Sequence, residues 1–447
     1  MRASFVHIAD THLGYEQYGV RERFNDFSRA FWDIVEDAVA RDIDFMVVAG
    51  DLFHKRAIDA LTLIHAIEGL KKLKDRGIPV VAIEGNHDRS YYREGISWLQ
   101  FLCHQGYLTL LTPRMQNGAP VIAAWDQGTM MGSHVDLLGG RLRVYGLPWQ
   151  GAATARSIEG MARALEEERA SEEAAGVEYR LLMMHTGVDG VVPRIQGLPT
   201  MSQFQALRRS LDYLALGHVH KPFEFDGWIY NPGSTETVGA DEAAWEDRGY
   251  YFVEIDTDSM GAANELESDD YAFVSRHRAT HLVSKRRPFV RYDVHVNGAS
   301  EPQELYDMLD RRCRFERHNF EGNTLRPLIK IHLVGTLTFD AGSLDIPYMQ
   351  KMVYDLLDPL YADVENNTND QDYIPENGEI DGRDRDTWHE LERHIFEDLV
   401  SRDNRFLVHH EQWSHVLADL KRMALDEDDP AEIARFLREK RVELLGA

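Results

Sequence analysis

Phe5-Val6-His7-Ile8-Ala9-Asp10-Thr11-His12 begins as an apolar run and ends on an aspartate and a histidine two positions apart. Behind it, Arg21 to Arg41 carries Phe24, Phe27, Phe31, Ile34, Val35, Ala38 and Val39 at helical spacing. A second apolar run, Phe45–Ala49, leads into Gly50-Asp51. A second helical stretch, Ala57 to Arg76, presents Leu63, Ile64, Ile67 and Leu70 and closes at Gly77 before Pro79. The third run, Val80–Ile83, ends in Gly85-Asn86-His87-Asp88. Short, nearly all-apolar strands alternating with amphipathic helices predict an α/β fold with its sheets sandwiched by helices.

Working outward, the pattern repeats twice. Leu181–Met184 ends at His185, and Tyr213–Leu216 ends in Gly217-His218-Val219-His220. In open sheets covered by helices, ligands gather beyond the carboxyl ends of the strands. Five strand ends would therefore deliver Asp10, His12, Asp51, Asn86, His185, His218 and His220 to one place. Seven mixed oxygen and imidazole donors suit two divalent first-row ions, and no thiolate points to zinc-finger chemistry. One shared carboxylate can bridge two ions about 3.5–4 Å apart, the geometry of in-line displacement at phosphorus. Gly50, Gly85 and Gly217 fit backbone that turns sharply and lets a phosphate approach closely. A lone histidine is more often an ordinary hydrogen-bonded one, and an isolated Asp-x-His is near noise. Five such pieces in order, each closing a strand, are not.

Elsewhere in the first 280 residues, Met131–Tyr145 reads as loop and strand and Ala162–Ala175 as a charged surface helix. Further strands fall at Trp228–Tyr230 and Tyr250–Ile255. Residues 281–361 form a small α/β domain: strand Val290–Val296, helix Glu301–Cys313, strand Leu328–Val334 and helix Leu344–Leu357. Residues 362–386, rich in Asp, Glu, Asn and Gly, read as a solvated linker. Residues 387–447 then read as three helices, Thr387–Val400, Glu411–Ala424 and Pro430–Leu445, the last with proline at its start.

The chain has 447 residues, 43% of them hydrophobic, enough for two or three domains. No apolar run reaches the ~18 residues of a spanning helix, and the N-terminus has too short an apolar stretch for a signal peptide, so a cytoplasmic location and no membrane partner are expected. Cys103 and Cys313 make neither a disulfide framework nor a zinc set. The formal charge is −26, from 75 acidic and 49 basic residues, with only ten lysines. Such an acid-heavy, lysine-poor surface looks like that of a protein from a salt-accumulating (halophilic) archaeon. At molar salt the Debye length falls to about 3 Å, and the surface repels a polyanion only at contact range. Composition alone favours the plainer reading, an acidic protein that avoids nucleic acid.

The motifs reverse it. Asp10-x-His12, Gly50-Asp51, Gly85-Asn86-His87-Asp88, His185 and Gly217-His218-x-His220 resemble the full motif set of the calcineurin-like metallophosphoesterases. The contexts Ile8-Ala9-Asp10-Thr11-His12-Leu13-Gly14, Ala49-Gly50-Asp51-Leu52-Phe53-His54 and Glu84-Gly85-Asn86-His87-Asp88 are similar to the nuclease subunit of the DNA double-strand-break repair complex, the meiotic recombination eleven and SbcD family. The resemblance covers about residues 1–280. It implies that Asp10, His12, Asp51 and His220 hold one ion and that Asp51, Asn86, His185 and His218 hold the other. Mn²⁺ is the implied metal, with Zn²⁺ or Fe compatible with the donors. His87 would stabilise the transition state or protonate the leaving 3′-oxygen, with Asp88 orienting it, and His54 would lie near the substrate strand. The lesser alternative for His54 is an ordinary surface histidine.

The same resemblance implies single-strand endonuclease and 3′-to-5′ double-strand exonuclease activity on DNA ends, with the second domain capping the site. It implies a homodimer through Leu63, Ile64, Ile67, Leu70 and the segment 96–102. It also implies docking of the C-terminal helices on the coiled-coil base of an ABC-type ATPase of the Rad-fifty kind. The alternative for those helices is a hairpin folded back on the cap. A basic strip, Arg276, Arg278, Lys285, Arg286, Arg287 and Arg291 with His277 and His281, is either a phosphate contact or counter-charge for the acidic surface. Two competing functions remain: another phosphoesterase acting on phosphoproteins or cyclic nucleotides, and a DNA-end scaffold with structural metals.

Overall fold

The computed structural model describes residues 1–90, 95–171, 174–245, 247–258, 276–320, 322, 324–370, 396–397, 400, 409–425 and 430–445. Two six-stranded sheets lie face to face. The first contains β1 (Arg2–Ile8), β2 (Phe45–Val48), β3 (Val80–Ala82) and β4 (Thr109–Leu110). A small hairpin, β5 (Met115–Gln116) and β6 (Ala119–Pro120), precedes the second sheet. That sheet holds β7 (His134–Leu137), β8 (Leu142–Leu147), β9 (Tyr179–His185), β10 (Tyr213–Gly217), β11 (Phe223–Phe225) and β12 (Ile229–Asn231). The chain then returns to complete the first sheet with β13 (Gly249–Asp256) and β14 (His277–Val283). The orders are β14-β13-β1-β2-β3-β4 and β11-β12-β10-β9-β8-β7.

The strands that end in the expected ligands run parallel within each sheet: β1 to β2, β2 to β3, and β9 to β10. Their carboxyl ends therefore point the same way. The alternation along β1 shows how the layers are made. Phe5 enters the core between the sheets with Phe45, Val47, Val81, Leu181, Met183 and Tyr213. Val6 and Ile8 face the other way, toward α1 (Arg21–Ala40), α2 (Ala60–Asp75) and α3 (Trp98–His104), through Phe31, Ile34, Leu70 and Leu99. On the outer face of the second sheet, α4 (Thr154–Arg169) and α5 (Met201–Phe204) bury Ile158, Met161, Leu165 and Phe204 against Leu182, Met184 and Leu214. The expected helix-covered sheets are present, as two sheets between two helical layers.

Two boundaries differ from expectation. The helix placed at Ala162–Ala175 begins at Thr154 and ends at Arg169, and its inner face is buried rather than a charged surface throughout. A three-stranded sheet, in the order of β15 (Phe289–His295), β16 (Leu328–Leu337) and β17 (Tyr361–Asp370), is accompanied by α6 (Pro302–Glu316) and α7 (Ile346–Leu357). Residues 362–370, taken for the start of the linker, are thus a strand. Ala362 and Val364 are buried, while Asp363 and Glu365 meet Lys330 on β16 at 2.6 and 2.5 Å. Residues 371–386 and most of the first expected C-terminal helix lie outside the described residues. The other two are α8 (His410–Leu425) and α9 (Pro430–Leu445), whose Trp413, Val416 and Phe436 share an apolar cluster.

The first compact unit is Met1–Asp293 with Asp310–His332 and Tyr348–Glu365, and it contains the whole metal centre described below. The second holds Val294–Leu309, Leu333–Pro347 and the described residues from Asn366 onward. Both cysteines are free and buried. No helix among the described residues is long and apolar enough to cross a membrane.

Candidate metal centre

All five strand ends meet. Asp10, His12 and His220 bring ligand atoms within 4.8 Å of one another; so do Asp10, Asp51 and His185, and so do His12, His54 and His87. Four of the residues expected as ligands sit in the left-handed backbone region that side chains usually avoid: Asp10 at φ 52°, His12 at 47°, Asp51 at 53° and His218 at 91°. Strain of this kind costs about 1–3 kcal/mol per residue and persists where the surroundings over-determine it. The glycines enforce the convergence. A Cβ on Gly85 would stand 2.0 Å from Asp51 Oδ1, one on Gly50 2.3 Å from His185 Nδ1, and one on Gly217 2.3 Å from the Ala49 carbonyl oxygen. The crowding that excludes a side chain comes from the protein's own ligands and strand ends, rather than from room left for a phosphate.

The hydrogen bonds fix which atoms are left over. His185 Nδ1 donates to the Ala49 carbonyl at 2.8 Å, so in the neutral ring Nε2 carries a lone pair. That nitrogen faces Asn86 Oδ1 at 3.2 Å and Asp51 Oδ2 at 3.3 Å, both acceptors. His220 Nδ1 donates to Glu242 Oε1 at 2.6 Å, which turns its Nε2 toward His12 Nε2 at 3.1 Å. His218 Nδ1 lies 2.9 Å from the same Asn86 oxygen. Without a metal, a proton within each pair makes these contacts hydrogen bonds; with those protons removed, the same atoms present their lone pairs to common cation positions. The donor set, without sulfur and with one carboxylate between two clusters, fits a pair of divalent ions.

The electrostatics carry the same signature. Burial raises the Asp10 carboxyl to about 6, against the pull of His185 and His220. Burial also opposes ionisation of Asp51, but His185, His12 and His87 outweigh it and hold that carboxyl well below its ordinary range. Burial works against a proton on His185, and Asp51 and Asp10 overcome it, raising the imidazole to about 9. Burial and neighbouring imidazoles push His218 down to about 4, and His54 likewise, helped by Lys55.

His87 lies beside this cluster. Its backbone N–H donates to Asp51 Oδ1 at 2.8 Å, and its Nδ1 donates to the His54 carbonyl at 2.7 Å, leaving Nε2 for a reacting group. His54 is no ordinary surface histidine: its ring is stacked between Tyr15 at 3.7 Å and His87 at 5.5 Å. Asp88 does not orient the His87 ring. Its buried carboxylate accepts the backbone N–H groups of Leu52, Phe53 and Gly85 at 3.3, 3.0 and 3.0 Å, tying the loop after β2 to the loop after β3. Two contributors escaped the sequence reading, Tyr15 in a loop and Glu242 at the end of a one-turn 3-10 helix, Ala240–Glu242; neither shows apolar periodicity or belongs to any of the short motifs.

The basic strip divides on folding. Arg276 pairs with Asp212 at 3.3 Å, Arg291 with Asp241 at 2.5 Å, and buried Arg287 grips Asp26 through two bonds of 2.6 and 3.0 Å. His277 is buried between the hydroxyls of Tyr179 and Tyr230. For these members the counter-charge reading holds.

Comparison with known proteins agrees with this geometry. Residues 3–222 match the calcineurin-like phosphoesterase family model. The DNA double-strand break repair protein Mre11 of Archaeoglobus fulgidus is 34% identical over 258 residues, 54% of this chain and 52% of the relative. The Haloferax volcanii protein of the same name is 30% identical over 282 residues, 60% of this chain and 53% of the relative. The chain thus spans about half the length of the curated relatives it matches. Two stacked sheets whose parallel strands end in this donor set, together with the match over residues 3–222, identify that region as a calcineurin-like phosphoesterase domain in a chain related to archaeal Mre11.

Proposed function

We propose that this chain is a dinuclear-metal DNA nuclease that processes double-strand-break ends, with single-strand endonuclease and 3′-to-5′ double-strand exonuclease activity. The observation that carries the reading is the pair of overlapping clusters Asp10–His12–His220 and Asp10–Asp51–His185, with Asn86 Oδ1 and His218 beside them, which a cation pair would hold together. The DNA substrate comes from the relatives, which are named for double-strand break repair. Asp10, His12, Asp51 and His220 would hold one ion, and Asp51, Asn86, His185 and His218 the other, with Mn²⁺ favoured and Zn²⁺ or Fe also suited to the donors. Such a pair supplies Lewis acidity at the phosphate oxygens and a more acidic water.

The chain's own residues do the rest. Asp51 and Asn86 fix the spacing of the two positions because their loops are joined through Asp88. The His54 carbonyl holds the His87 ring in one tautomer, so Nε2, when protonated, can deliver its proton to the leaving 3′-oxygen. Tyr15 keeps the His54 ring from turning. Homodimerisation through α2 and the segment 96–102 is part of the proposal, since Leu61, Ile64 and Ile96 are exposed beside half-buried Leu63 and Trp98. Docking of α8 and α9 on the coiled-coil base of an ABC-type ATPase is another part, supported by exposed Leu437 and Val442.

The test is cleavage of 3′-labelled and 5′-labelled duplex and of circular single strands with Mn²⁺, beside phosphopeptide and cyclic-nucleotide hydrolysis. Shortening from 3′ ends and nicking of circles are expected. His87→Ala should lose about 10²- to 10⁴-fold in rate while retaining metal and DNA. Turnover of the phosphopeptide or cyclic nucleotide without DNA cleavage would reject the nuclease reading. DNA binding with no cleavage at all would establish a scaffold instead.

A further inference from the structure

The ligand histidines do not have equal support. His185 leans on a neutral backbone carbonyl, that of Ala49. His220 alone, among the described residues of the expected ligand set, gives its Nδ1 proton to a carboxylate. Glu242 Oε1 accepts it at 2.6 Å. The other oxygen of Glu242 accepts from Arg248 Nη1 at 2.9 Å and from the Val238 backbone N–H at 3.0 Å. Arg248 has no solvent exposure, and its remaining donors are spent on the carbonyls of Trp245 and Glu242 and on Ser234 Oγ. The carboxylate is thus held at one oxygen by His220 and at the other by Arg248 and Val238, neither of them an expected ligand.

We propose that Glu242 is a positioning residue for the metal centre, fixing the His220 tautomer so that the Asp10–His12–Asp51–His220 position takes a divalent cation more tightly than the Asp51–Asn86–His185–His218 position. This rests on the dinuclear reading above. The chemistry is that of a carboxylate behind a metal-bound imidazole: it fixes the ring, places the lone pair on Nε2 and makes the ligand more basic. Asp10 and Asp51 already give that position two carboxylates against one, and Glu242 adds a third negative charge one ring away.

Glu242→Gln separates positioning from bulk. Arg248 and Val238 both donate, so the amide oxygen must turn to them and the amide NH₂ must face His220 Nδ1. The imidazole would then carry its proton on Nε2, the wrong nitrogen for the metal. The loss of such a partner typically costs about 10- to 100-fold in metal affinity.

Mn²⁺ titration of the full chain, by calorimetry and by electron paramagnetic resonance, is the experiment. In the parent, the first equivalent should give isolated Mn²⁺ and the second a spin-coupled pair. In Glu242→Gln the tighter step should weaken about 10- to 100-fold and the weaker step stay within about threefold. Nitrogen-15 histidine spectra of the metal-free variant should show one ring moving its proton from Nδ1 to Nε2. A parent that loads both positions with equal affinity overturns the inference, with no variant needed. So does a folded variant whose two steps match the parent's or fall together. A parent that binds no Mn²⁺ would instead reject the dinuclear reading itself, a separate result.

Discussion

Gly85→Ala tests the convergence with the smallest possible change. The added Cβ would lie 2.0 Å from Asp51 Oδ1, 2.5 Å from the Asp51 backbone nitrogen and 2.7 Å from Asp51 Cγ. Real contacts of this kind stay beyond about 3.0 Å, so the carboxylate must retreat by roughly 1 Å or the two loops must part by as much. Neither movement is free. Asp51 Oδ1 already accepts the His87 N–H at 2.8 Å, and Asp88 binds both loops together. Overpacking of a filled site costs about 1–3 kcal/mol, so the variant should fold with a lowered midpoint in urea. A 1 Å misplacement of the shared ligand is worth about 10²-fold in rate, and a larger loss is expected if the second ion no longer binds. Calorimetric Mn²⁺ titration together with single-turnover cleavage of labelled DNA reads both quantities. A variant that keeps two ions and cleaves within tenfold of the parent would refute the claim that Asp51 is held where the structure puts it.

Three further outcomes follow from the surroundings. Asp88→Ala strands three backbone N–H groups, each costing about 1–3 kcal/mol, and urea unfolding in chelator should fall by several kcal/mol; a change below about 1 kcal/mol would show that Asp88 is not the clamp. Asp26 serves Arg287 and Arg23 together in a buried cluster, with Arg23 also facing Glu236. Arg287→Met leaves Asp26 paired with Arg23 and Arg29 and should cost about 3 kcal/mol, whereas Asp26→Asn deprives two buried guanidinium groups and should cost about 5, an ordering that denaturation can reverse. Burial, with Arg208 assisting, lowers His277 to about 4. Because the folded value lies below the unfolded one, this histidine's contribution is complete above about pH 6.5 and is lost as pH falls toward 4, a change of about 3 kcal/mol. His277→Gln should flatten the acid limb of stability measured across that window, and an unchanged slope would remove His277 as its source.

The parts of the fold that were legible are those whose physics leaves a trace in hydropathy. β1, β2, β3, β9 and β10 are buried on both faces, so their sequences are continuous apolar runs, and each run stops where the chain leaves the sheet. The candidate ligands were legible because they occupy those stopping points. α4 was misplaced because part of its buried face is Thr154, Ser157, Gly160 and Ala162, small residues that fit a close helix-to-sheet approach without raising hydropathy. β17 was missed because its outward face is acidic and only Ala362 and Val364 record its period of two. Glu242 and Asp88 show a deeper limit. A carboxylate in a loop is equally a solvated charge, a helix cap or a clamp, and only its partners in space decide which.

The same reasoning bears on the tension between a charge of −26 and the proposed polyanionic substrate. Arg276, Arg287 and Arg291 are engaged with aspartates, so they are poorly placed to serve as a free phosphate-binding surface. Affinity built on exposed lysines and arginines would also fade as salt rises, by roughly 0.9 in log K per log salt for each phosphate neutralised. A cation pair held by buried carboxylates and imidazoles is a different source of positive charge. Held there, it would be shielded from the bulk ionic atmosphere and would lie where the proposed reaction needs a phosphate. An acidic chain can therefore leave its surface to solubility and concentrate its attraction for the backbone in the site itself. With the proposed cation pair bound, recognition and catalysis would share one set of ligands, and Glu242, proposed to fix the His220 tautomer, would bear on both.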